Sequence, residues 1–347
     1  MKRPPIAERL LPWYARFGRL DLPWRHQRDP YRVYLAEVML QQTRVETVLP
    51  YFRRFLARYP DWQALANAPL DDVLTLWSGL GYYARARNAH VAAQRILSKH
   101  QGQFPEDLAQ ALELPGVGRS TAAAVLASAY GQRQAILDAN ARRVLFRYHG
   151  LDGEPRAGQN ERLLWVLAEQ ETPDAAHDYN QAIQDLGALR CLARKARCSE
   201  CPLQGPCAGP DRATRLERTQ KPVRCAYFLL ASTEDGQILM EQRPSKGIWG
   251  GLWALPWYSL GGEEEAALRL PELVAWAERE YGLRLRIQEC QPWRRHSFTH
   301  FHLDYVVVTA QISATVVAEA RQAASYYPPD QLAQLALPSP VRRLLSA

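Results

Sequence analysis

The spacing of hydrophobic residues changes once along the chain, near residue 210. From Pro30 to about Pro210, apolar residues recur every three or four positions, which predicts helices with one apolar face. Asp29 followed by Pro30 predicts a capped helix start, and Asp138 predicts another for a helix that ends at Gly150. This first region is therefore expected to be mainly α-helical.

Beyond residue 224 the pattern indicates short strands separated by turns that contain Gly, Pro or Asp. Strands are predicted at 225–231, 237–242, 283–287 and 302–312. The intervening stretch 211–224 is charged and has no periodic apolar positions, which is typical of a linker. The sequence thus predicts a helical region at 1–210, a linker at 211–224 and a mixed α and β domain at 225–347.

Composition and charge narrow the class of protein. The 347 residues are 47% hydrophobic and 23% charged, which argues against a disordered or fibrous chain. The formal net charge is +7, with most of the excess in residues 1–210, which suggests a polyanionic partner or a basic solvated surface. The sequence shows neither a secretory signal nor an apolar run of the ~20 residues that span a bilayer. A cytoplasmic location without membrane association is expected.

Four of the six cysteines lie close together, at Cys191, Cys198, Cys201 and Cys207. In a chain without an export signal, metal ligation is a better explanation than disulfides, because the cytosol keeps thiols reduced. Zinc ribbons normally offer two separated pairs of ligands, whereas one compact quartet can hold a [4Fe-4S] cluster. The spacing favours the cluster, with zinc or four unrelated cysteines as the alternatives.

A glycine-containing hairpin separates two helical patterns at residues 114–121. Gly116 and Gly118 would allow a partner to approach the backbone closely, and the helix that starts near Ser120 presents free N–H groups suited to a phosphate. A plain tight turn is the alternative, since two glycines alone are a weak signal.

The hairpin, Asp138 and the cysteine quartet together resemble the helix-hairpin-helix DNA glycosylases of the endonuclease III superfamily. Segments 37–43, 80–88 and 298–302 are similar to those of MutY-type adenine DNA glycosylases. The resemblance implies a helical glycosylase fold with a [4Fe-4S] cluster, followed by a Nudix-like α+β domain. It also implies a monomer that acts on double-stranded DNA, excises adenine mispaired with 8-oxoguanine or guanine, and so initiates base excision repair.

Two carboxyl groups in different protonation states suit cleavage of a glycosidic bond. Glu37 lies in an apolar stretch where burial would keep it protonated, so it is the predicted acid. Asp138 at a helix N-terminus would stay ionised and stabilise the cationic sugar. The resemblance gives the same roles, with protonation at adenine N7, and adds Asn140 as a hydrogen-bonding partner near the sugar.

Ser120 separates two reaction types within the superfamily. Members that also cut the strand have a lysine at this position, and a hydroxyl cannot form the imine that their lyase step requires. A monofunctional glycosylase is therefore expected. The alternatives are a glycosylase/lyase for oxidised pyrimidines and a catalytically silent DNA-binding protein.

Further DNA contacts follow from the resemblance. Gln41, Gln42 and Tyr82 are predicted to bind DNA, since a ring can wedge between bases and an amide can pair with exposed base edges. Core packing is the alternative for Tyr82. Arg85 and Arg87 could contact phosphate or lie on a solvated helix face.

Residues Phe298, Thr299 and His300 match the loop that reads 8-oxoguanine in the family. The family commonly has serine in place of Thr299, and glycine in place of Ala139, so both positions depart from its pattern. The carboxylate motif of an active Nudix hydrolase is incomplete around residues 277–282, so metal-dependent hydrolysis is not expected.

Overall fold

The computed structural model describes residues 3–26, 28–209, 220–260, 269–315 and 323–345. They form two compact units, which are described separately. The first comprises Met1–Ala68 with Asn88–Glu217, and the second comprises Pro69–Arg87 with Arg218–Ala347. Residues 69–87, which the sequence pattern assigned to the helical region, therefore belong by their contacts to the second unit. Most of the predicted linker lies outside the described residues, and its last two positions already belong to a strand.

Helices dominate the first unit, as the hydrophobic pattern predicts. The α-helices of the described chain are α1 Ile6–Phe17, α2 Pro23–His26, α3 Pro30–Leu40, α4 Val45–Arg58, α5 Trp62–Ala66, α6 Leu70–Trp77, α7 Ala84–His100, α8 Leu108–Leu112, α9 Arg119–Tyr130, α10 Ala139–His149, α11 Gly158–Glu171, α12 Ala176–Leu189, α13 Leu270–Tyr281 and α14 Ser339–Leu345. Of these, α6, α13 and α14 lie in the second unit. None of the helices in the described segments is long and apolar enough to cross a membrane.

Capping side chains fix the two helix starts that the sequence predicts. The Asp29 carboxylate accepts a hydrogen bond from the Arg32 N–H at 2.8 Å, and Pro30 occupies the first turn of α3. The Asp138 carboxylate accepts one from the Ala141 N–H at 2.7 Å at the start of α10. That helix ends at Gly150, whose φ of 68° satisfies the left-handed geometry of a helix end. Both predicted helices are confirmed.

Helices α1, α10 and α12 share one hydrophobic core in the first unit. Leu10, Phe146 and Leu186 are completely shielded from solvent within it. Helices α10 and α12 approach so closely that a Cβ atom added at Gly187 would lie 2.5 Å from the Cβ atom of Asn140. The glycine therefore sets the distance between α12 and the first turn of α10, where Asp138 is the cap.

A mixed sheet forms the centre of the second unit. Its strands are β1 Val223–Ser232, β2 Ile238–Gln242, β3 Trp253–Ala254, β4 Trp257–Leu260, β5 Leu283–Cys290, β6 Arg294–Ser297, β7 His302–Thr315 and β8 Ala324–Tyr327. The main order is β3-β2-β1-β7-β5, with β1 and β7 parallel and the other pairs antiparallel. Helix α13 packs through Leu273 and Ala277 on a core that includes Leu229 and Val308. The predicted α+β domain with its four longer strands is confirmed.

Candidate active site

A cavity of about 750 Å³ opens on the first unit, within the range of ~300–1,000 Å³ that is usual for small-molecule sites. Glu37 at the end of α3 and the predicted partners Asp138 and Asn140 all line it. Apolar side chains and polar groups contribute to the same wall, among them Trp24, Leu40, Val45, Leu192, Arg25, Ser120, Gln181 and Gln184. The structure therefore brings together the three residues that the sequence predicts to be catalytic.

The Glu37 carboxyl is poised to carry a proton at neutral pH. It is partly accessible at the cavity surface, but the enclosing protein raises its pKa from 4.5 to about 7 by desolvation, and the nearby Asp138 charge adds to the rise. A hydrogen bond with the Gln184 side chain and the positive charge of Arg25 oppose the shift. A carboxyl with this pKa can donate a proton near pH 7, as a general acid must.

The Asp138 carboxylate caps α10 and faces the same cavity. Burial raises its pKa, so the direction is opposite to the one expected from the helix N-terminus alone. The backbone N–H groups of Ala141 and Asn140, the Asn140 amide and the charge of Arg143 lower the pKa and limit that rise. Desolvation was the effect that sequence reasoning left out for Asp138, because its neighbours in space come from other helices.

Asn140 joins Asp138 to a cationic neighbour. Its amide nitrogen lies 3.3 Å from the Asp138 Oδ2 atom, and its oxygen accepts a hydrogen bond of 2.9 Å from Arg143. Arg143 also donates to the carbonyl oxygens of Gly187 at 2.7 Å and Cys191 at 2.6 Å. The first turn of α10 is thereby held to the end of α12, and the Asp138 carboxylate is held in place.

Ala139 occupies the first turn of α10 and is exposed. The capping bond between Asp138 and Ala141 forms with the alanine in place. The methyl group that distinguishes this position from the common family glycine is therefore compatible with the cap.

Ser120 lines the cavity at the start of α9. Its hydroxyl accepts a hydrogen bond of 2.9 Å from the backbone N–H of Leu137, the residue before Asp138. Ser120 therefore ties the hairpin helix to the segment that presents Asp138 to the cavity. No amine is available at this position for a Schiff base.

Only one of the two hairpin positions, Gly116 and Gly118, requires glycine for its conformation and its packing. Gly116 has a φ of 75°, and a Cβ atom there would lie 2.8 Å from the Cβ atom of Asn88, so both conformation and space demand glycine. Gly118 has an ordinary φ of −89°, and a Cβ atom there would meet nothing within 4 Å. The surroundings of Gly118 are therefore open to a partner, while Gly116 shapes the turn.

The two glutamines after α3 have different surroundings. Gln41 lines the cavity, and its amide nitrogen lies 3.4 Å from the Thr121 hydroxyl oxygen. Gln42 is exposed and has a φ of 60°, which is unusual for a residue with a side chain. Strain of this kind in an exposed polar residue is consistent with a role outside the core.

In the second unit, Tyr82 is exposed and linked to the predicted lesion-reading loop. It shows 45% of its surface to solvent, whereas the adjacent Tyr83 is buried. The Tyr82 and Thr299 hydroxyl oxygens lie 3.0 Å apart. Tyr82 also has a φ of 49°. Core packing is thus excluded for Tyr82, and the ring stays available to an outside partner.

Residues Phe298, Thr299 and His300 form a tight turn between β6 and β7. The Phe298 N–H donates to the Phe301 carbonyl oxygen at 2.9 Å, and the two rings stack at 4.5 Å. Thr299 and His300 are exposed at the tip. Lys221 donates to the Phe298 carbonyl oxygen at 2.7 Å. The stacked rings of Phe298 and Phe301 thus stabilise the turn, while Thr299 and His300 at its tip remain exposed.

The sequence offers phosphate contact or a solvated helix face for Arg85 and Arg87. In the structure both side chains instead bind backbone carbonyl oxygens. Arg85 is buried, with its guanidinium near the Tyr82 ring and donating to the carbonyl oxygens of Leu80 and Gly81. Arg87 is half-buried and donates to the Gly250 carbonyl oxygen. Arg85 therefore stabilises the segment around Tyr82, and Arg87 ties the start of α7 to the loop at Gly250 within the second unit.

The four clustered cysteines are free thiols near one another on the first unit. Cys191, Cys201 and Cys207 border its core. Desolvation by burial raises the pKa of Cys201 to about 11, and the charges of the other three cysteines add to the rise. Arg147 donates to the Cys191 Sγ atom at 3.3 Å, and the Gly209 N–H donates to that of Cys207 at 3.5 Å. Donors of this kind stabilise thiolates, so the group fits thiolate ligation.

The thiols as placed do not converge on a point for one ion. Among the described residues, no three His, Cys, Asp or Glu side chains form a group that could hold a metal ion. His296, His300 and His302, which would share a face if they lay on one strand, instead belong to β6, the turn and β7.

Sequence reasoning missed the contribution of α12. Gln181 and Asp185 are buried, and both come from α12, a helix in which the sequence analysis predicts no site residue. The Asp185 carboxylate binds Arg25 at 2.7 and 2.8 Å and also Arg19, and both arginines line the cavity. Polar residues within an otherwise apolar helical stripe were the signal that could have indicated this wall of the site.

Comparison with known proteins agrees with this geometry. Residues 35–170 match the HhH-GPD superfamily of base excision DNA repair proteins, and residues 226–347 match the NUDIX domain. An adenine DNA glycosylase of Buchnera aphidicola subsp. Baizongia pistaciae is 32% identical over 97% of this chain and 95% of its own length. The mouse adenine DNA glycosylase is 30% identical over 96% of this chain and 76% of its own length.

Solved structures share the fold of the first unit. A thermostable thymine-DNA glycosylase aligns with a TM-score of 0.54 and 30% identity, over 60% of this chain and 95% of that protein. A trapped endonuclease III–DNA intermediate aligns with a TM-score of 0.50 and 22% identity, over 59% and 93%, which shows the fold alone. With a serine where a lyase needs an amine, the chain is a monofunctional DNA glycosylase, and it belongs to the adenine DNA glycosylase family.

Proposed function

We propose that this enzyme removes adenine paired with 8-oxoguanine or guanine in double-stranded DNA by hydrolysing the N-glycosidic bond. The observation that carries the proposal is the pair Glu37 and Asp138 in one cavity, with a pKa near neutrality for the first and hydrogen-bond donors around the second. The family membership supplies adenine as the base.

Glu37 and Asp138 have different roles in the proposed reaction. Adenine is a poor leaving group as an anion, so Glu37 donates its proton to N7 as the bond to the sugar breaks. Asp138, held by the Asn140 amide and the Ala141 N–H, remains negative and stabilises the oxocarbenium-like sugar. Water then adds to the sugar and releases a proton, which leaves an abasic site and neutral adenine.

Adenine must leave the base stack before it can enter the cavity, at a cost of a few kcal/mol. The exposed ring of Tyr82 is suited to fill the gap, and the exposed amide of Gln42 can pair with base edges. Gln41 contributes from the cavity wall. The open space at Gly118 and the free N–H groups at the start of α9 are suited to a DNA phosphate, with Gly116 and Ser120 shaping that turn.

Lesion recognition is assigned to the turn at Phe298, Thr299 and His300. The exposed tip offers a hydroxyl and an imidazole, both of which can hydrogen-bond the altered edge of 8-oxoguanine. The contact between Thr299 and Tyr82 would link reading of the lesion to the wedge. Threonine retains the hydroxyl of the family serine, so the proposed contact is chemically preserved.

The cysteines Cys191, Cys198, Cys201 and Cys207 are proposed to hold a [4Fe-4S] cluster. One compact quartet of thiols, three of which border the core, suits a cluster better than the two separated ligand pairs of a zinc ribbon. When bound, the cluster would cross-link the loop after α12. Iron and sulfide analysis with a visible spectrum tests this: about four of each per chain is expected, and stoichiometric zinc would contradict it.

A cleavage assay tests the function. The protein is incubated with duplexes that contain 8-oxoguanine opposite adenine, guanine opposite adenine, thymine glycol, or no lesion, and half of each sample is then treated with alkali. Breaks at adenine that appear only after alkali are expected, and Glu37→Gln should abolish them while DNA binding persists. Breaks without alkali at thymine glycol would indicate a lyase, and no breaks would indicate a silent DNA-binding protein.

A monomer and a cytoplasmic location are proposed on the basis of the sequence. Light scattering of the protein alone and with one duplex tests the first: a mass near 39.5 kDa is expected for the free chain.

A further inference from the structure

The turn proposed to read the lesion lies beside the segment that leads into β1. Strands β1 and β7 are parallel and begin side by side, with Val223 opposite His302. The His302 N–H donates to the Pro222 carbonyl oxygen at 2.9 Å, so the pairing continues one residue before β1. The same segment carries two cationic side chains, Lys221 and Arg224, and each of them contacts the turn or its aromatic neighbour.

Lys221 holds the backbone of the turn. Its Nζ atom donates to the Phe298 carbonyl oxygen at 2.7 Å, although the two residues are 77 positions apart in the chain. A peptide group is planar, so this hydrogen bond also restrains the peptide that joins Phe298 to Thr299. Hydrogen bonds from a charged donor are roughly twice as strong as neutral ones. Lys221 thus restrains the backbone directly before the exposed tip.

Arg224 acts on the aromatic side chains of the turn. Its guanidinium lies 4.5 Å from the centre of the Phe301 ring, within the range of a cation–π contact. The Phe301 ring is buried and stacks on Phe298, whose ring centre lies 5.8 Å from that of Trp249. Arg224 therefore supports, through Phe301, the same residue whose carbonyl oxygen binds Lys221.

Recognition of 8-oxoguanine requires polar groups at well-defined positions. The lesion differs from guanine by an oxygen at C8 and a hydrogen on N7, so a protein that distinguishes the two bases must contact those positions. A hydrogen bond weakens steeply when its donor and acceptor move apart or out of line. A loop that reads the lesion therefore needs neighbours that hold its polar groups in one arrangement.

We infer that Lys221 and Arg224 are positioning residues for lesion recognition, an inference that rests on the proposed function. By holding Phe298, they keep Thr299 and His300 where the C8 oxygen and the N7 hydrogen of the lesion can be bound. Guanine has neither group, so its binding gains nothing from a fixed turn. Loss of either contact should therefore weaken binding of the 8-oxoguanine pair and leave binding of the guanine pair nearly unchanged.

The experiment measures the affinity of the protein for two duplexes, one with 8-oxoguanine and one with guanine opposite 2′-fluoro-2′-deoxyadenosine. The fluorine destabilises a cationic sugar, so the base stays attached during the measurement. Lys221→Met should lower the ratio of the two affinities about fivefold to tenfold, as expected for the loss of one hydrogen bond to the lesion. Lys221→Arg retains a charged donor and should keep the ratio within about twofold of the wild-type value.

Arg284→Met is the matched control, because it also removes one positive charge from the second unit. Arg284 is exposed on β5 and lies opposite Ala314, at the end of β7 far from the turn. The affinity ratio of this control should stay within about twofold of the wild-type value. Arg224→Met is an independent variant, and removal of its cation–π contact should lower the ratio about threefold.

The outcomes separate the inference from the proposed function. A wild type that releases no adenine from unmodified duplexes, or that binds both pairs equally, would overturn the proposed function and the inference with it. A wild-type preference that is unchanged in Lys221→Met, or that falls as much in Arg284→Met, would overturn the inference alone. The guanine duplex reports on folding: if Lys221→Met no longer binds it, Arg224→Met decides, and an unchanged ratio in that variant contradicts the inference.

Discussion

The proton on Glu37 makes the rate of base release depend on pH in a calculable way. A carboxyl with a pKa of about 7 is about half protonated at pH 7 and about one-tenth protonated at pH 8. The single-turnover rate should therefore fall about tenfold per pH unit above pH 8, with a midpoint near 7. A glutamate at its ordinary pKa of 4.5 would carry a proton less than about 1% of the time at neutral pH.

The assay measures adenine release from a duplex with 8-oxoguanine opposite adenine between pH 5 and 9, with enzyme in excess. DNA binding is measured by fluorescence anisotropy at each pH, so that a loss of affinity is not mistaken for a loss of protonation. The charged groups that act on Glu37 are Asp138 and Arg25, of opposite effect. Since Asp138 must be ionised, the acidic limb should lie above the ordinary aspartate range. A rate that stays constant to pH 9 would refute the acid role of Glu37.

The same pKa shift predicts how Glu37 affects stability. Because the folded-state pKa exceeds the unfolded one, the contribution of Glu37 is fully present below pH 4.5 and is lost as the pH rises to about 7. Glu37→Gln, which cannot ionise, should therefore raise the melting temperature relative to wild type at pH 8, with a smaller difference at pH 5. Equal differences at the two pH values would show that Glu37 is not desolvated in the free protein.

Two further substitutions test how the Asp138 carboxylate is positioned. Gly187→Ala should destabilise the fold by ~1–3 kcal/mol in urea unfolding and slow base release, because its Cβ atom would lie 2.5 Å from that of Asn140; unchanged stability would contradict the close packing. Ser120→Ala removes the acceptor of the Leu137 N–H bond near Asp138 and should slow release severalfold at constant DNA affinity, while Ser120→Thr, which keeps the hydroxyl, should retain more activity.

Much of the fold could be read from local sequence signals. Asp29 and Asp138 predicted helix starts because capping depends only on residues within one turn, and Gly150 predicted a helix end for the same reason. The assignment of residues 69–87 to the second unit could not be predicted. It depends on tertiary contacts such as that between the Ser78 hydroxyl and the Leu337 carbonyl oxygen, which lie far apart in the chain.

In the site, too, features that depend on neighbouring residues in the chain could be predicted, whereas contacts between distant residues could not. The positions of Glu37 in an apolar helix and of Asp138 at a helix cap were predictable, because both features are visible in the sequence. Gln184 and Asp185 were not, since their importance comes from groups on other helices that they face in space. For Arg85 the sequence was misleading, because a charged residue on a helix suggested an exposed side chain. In the structure Arg85 is buried and donates to the carbonyl oxygens of Leu80 and Gly81.

The upward pKa shifts of both Glu37 and Asp138 have a consequence for where the proton resides. Both carboxyls are desolvated, and the charge of Asp138 raises the pKa of Glu37, so ionising both at once is unfavourable. The donors are distributed unequally: Asp138 accepts from the Ala141 N–H and the Asn140 amide, whereas Glu37 has one amide partner. The shared proton is therefore held mainly on Glu37, so the free enzyme already has the charge distribution that cleavage requires. Asn140→Ala should weaken this preference, lower the pKa of Glu37 and move the basic limb of the pH profile to lower pH.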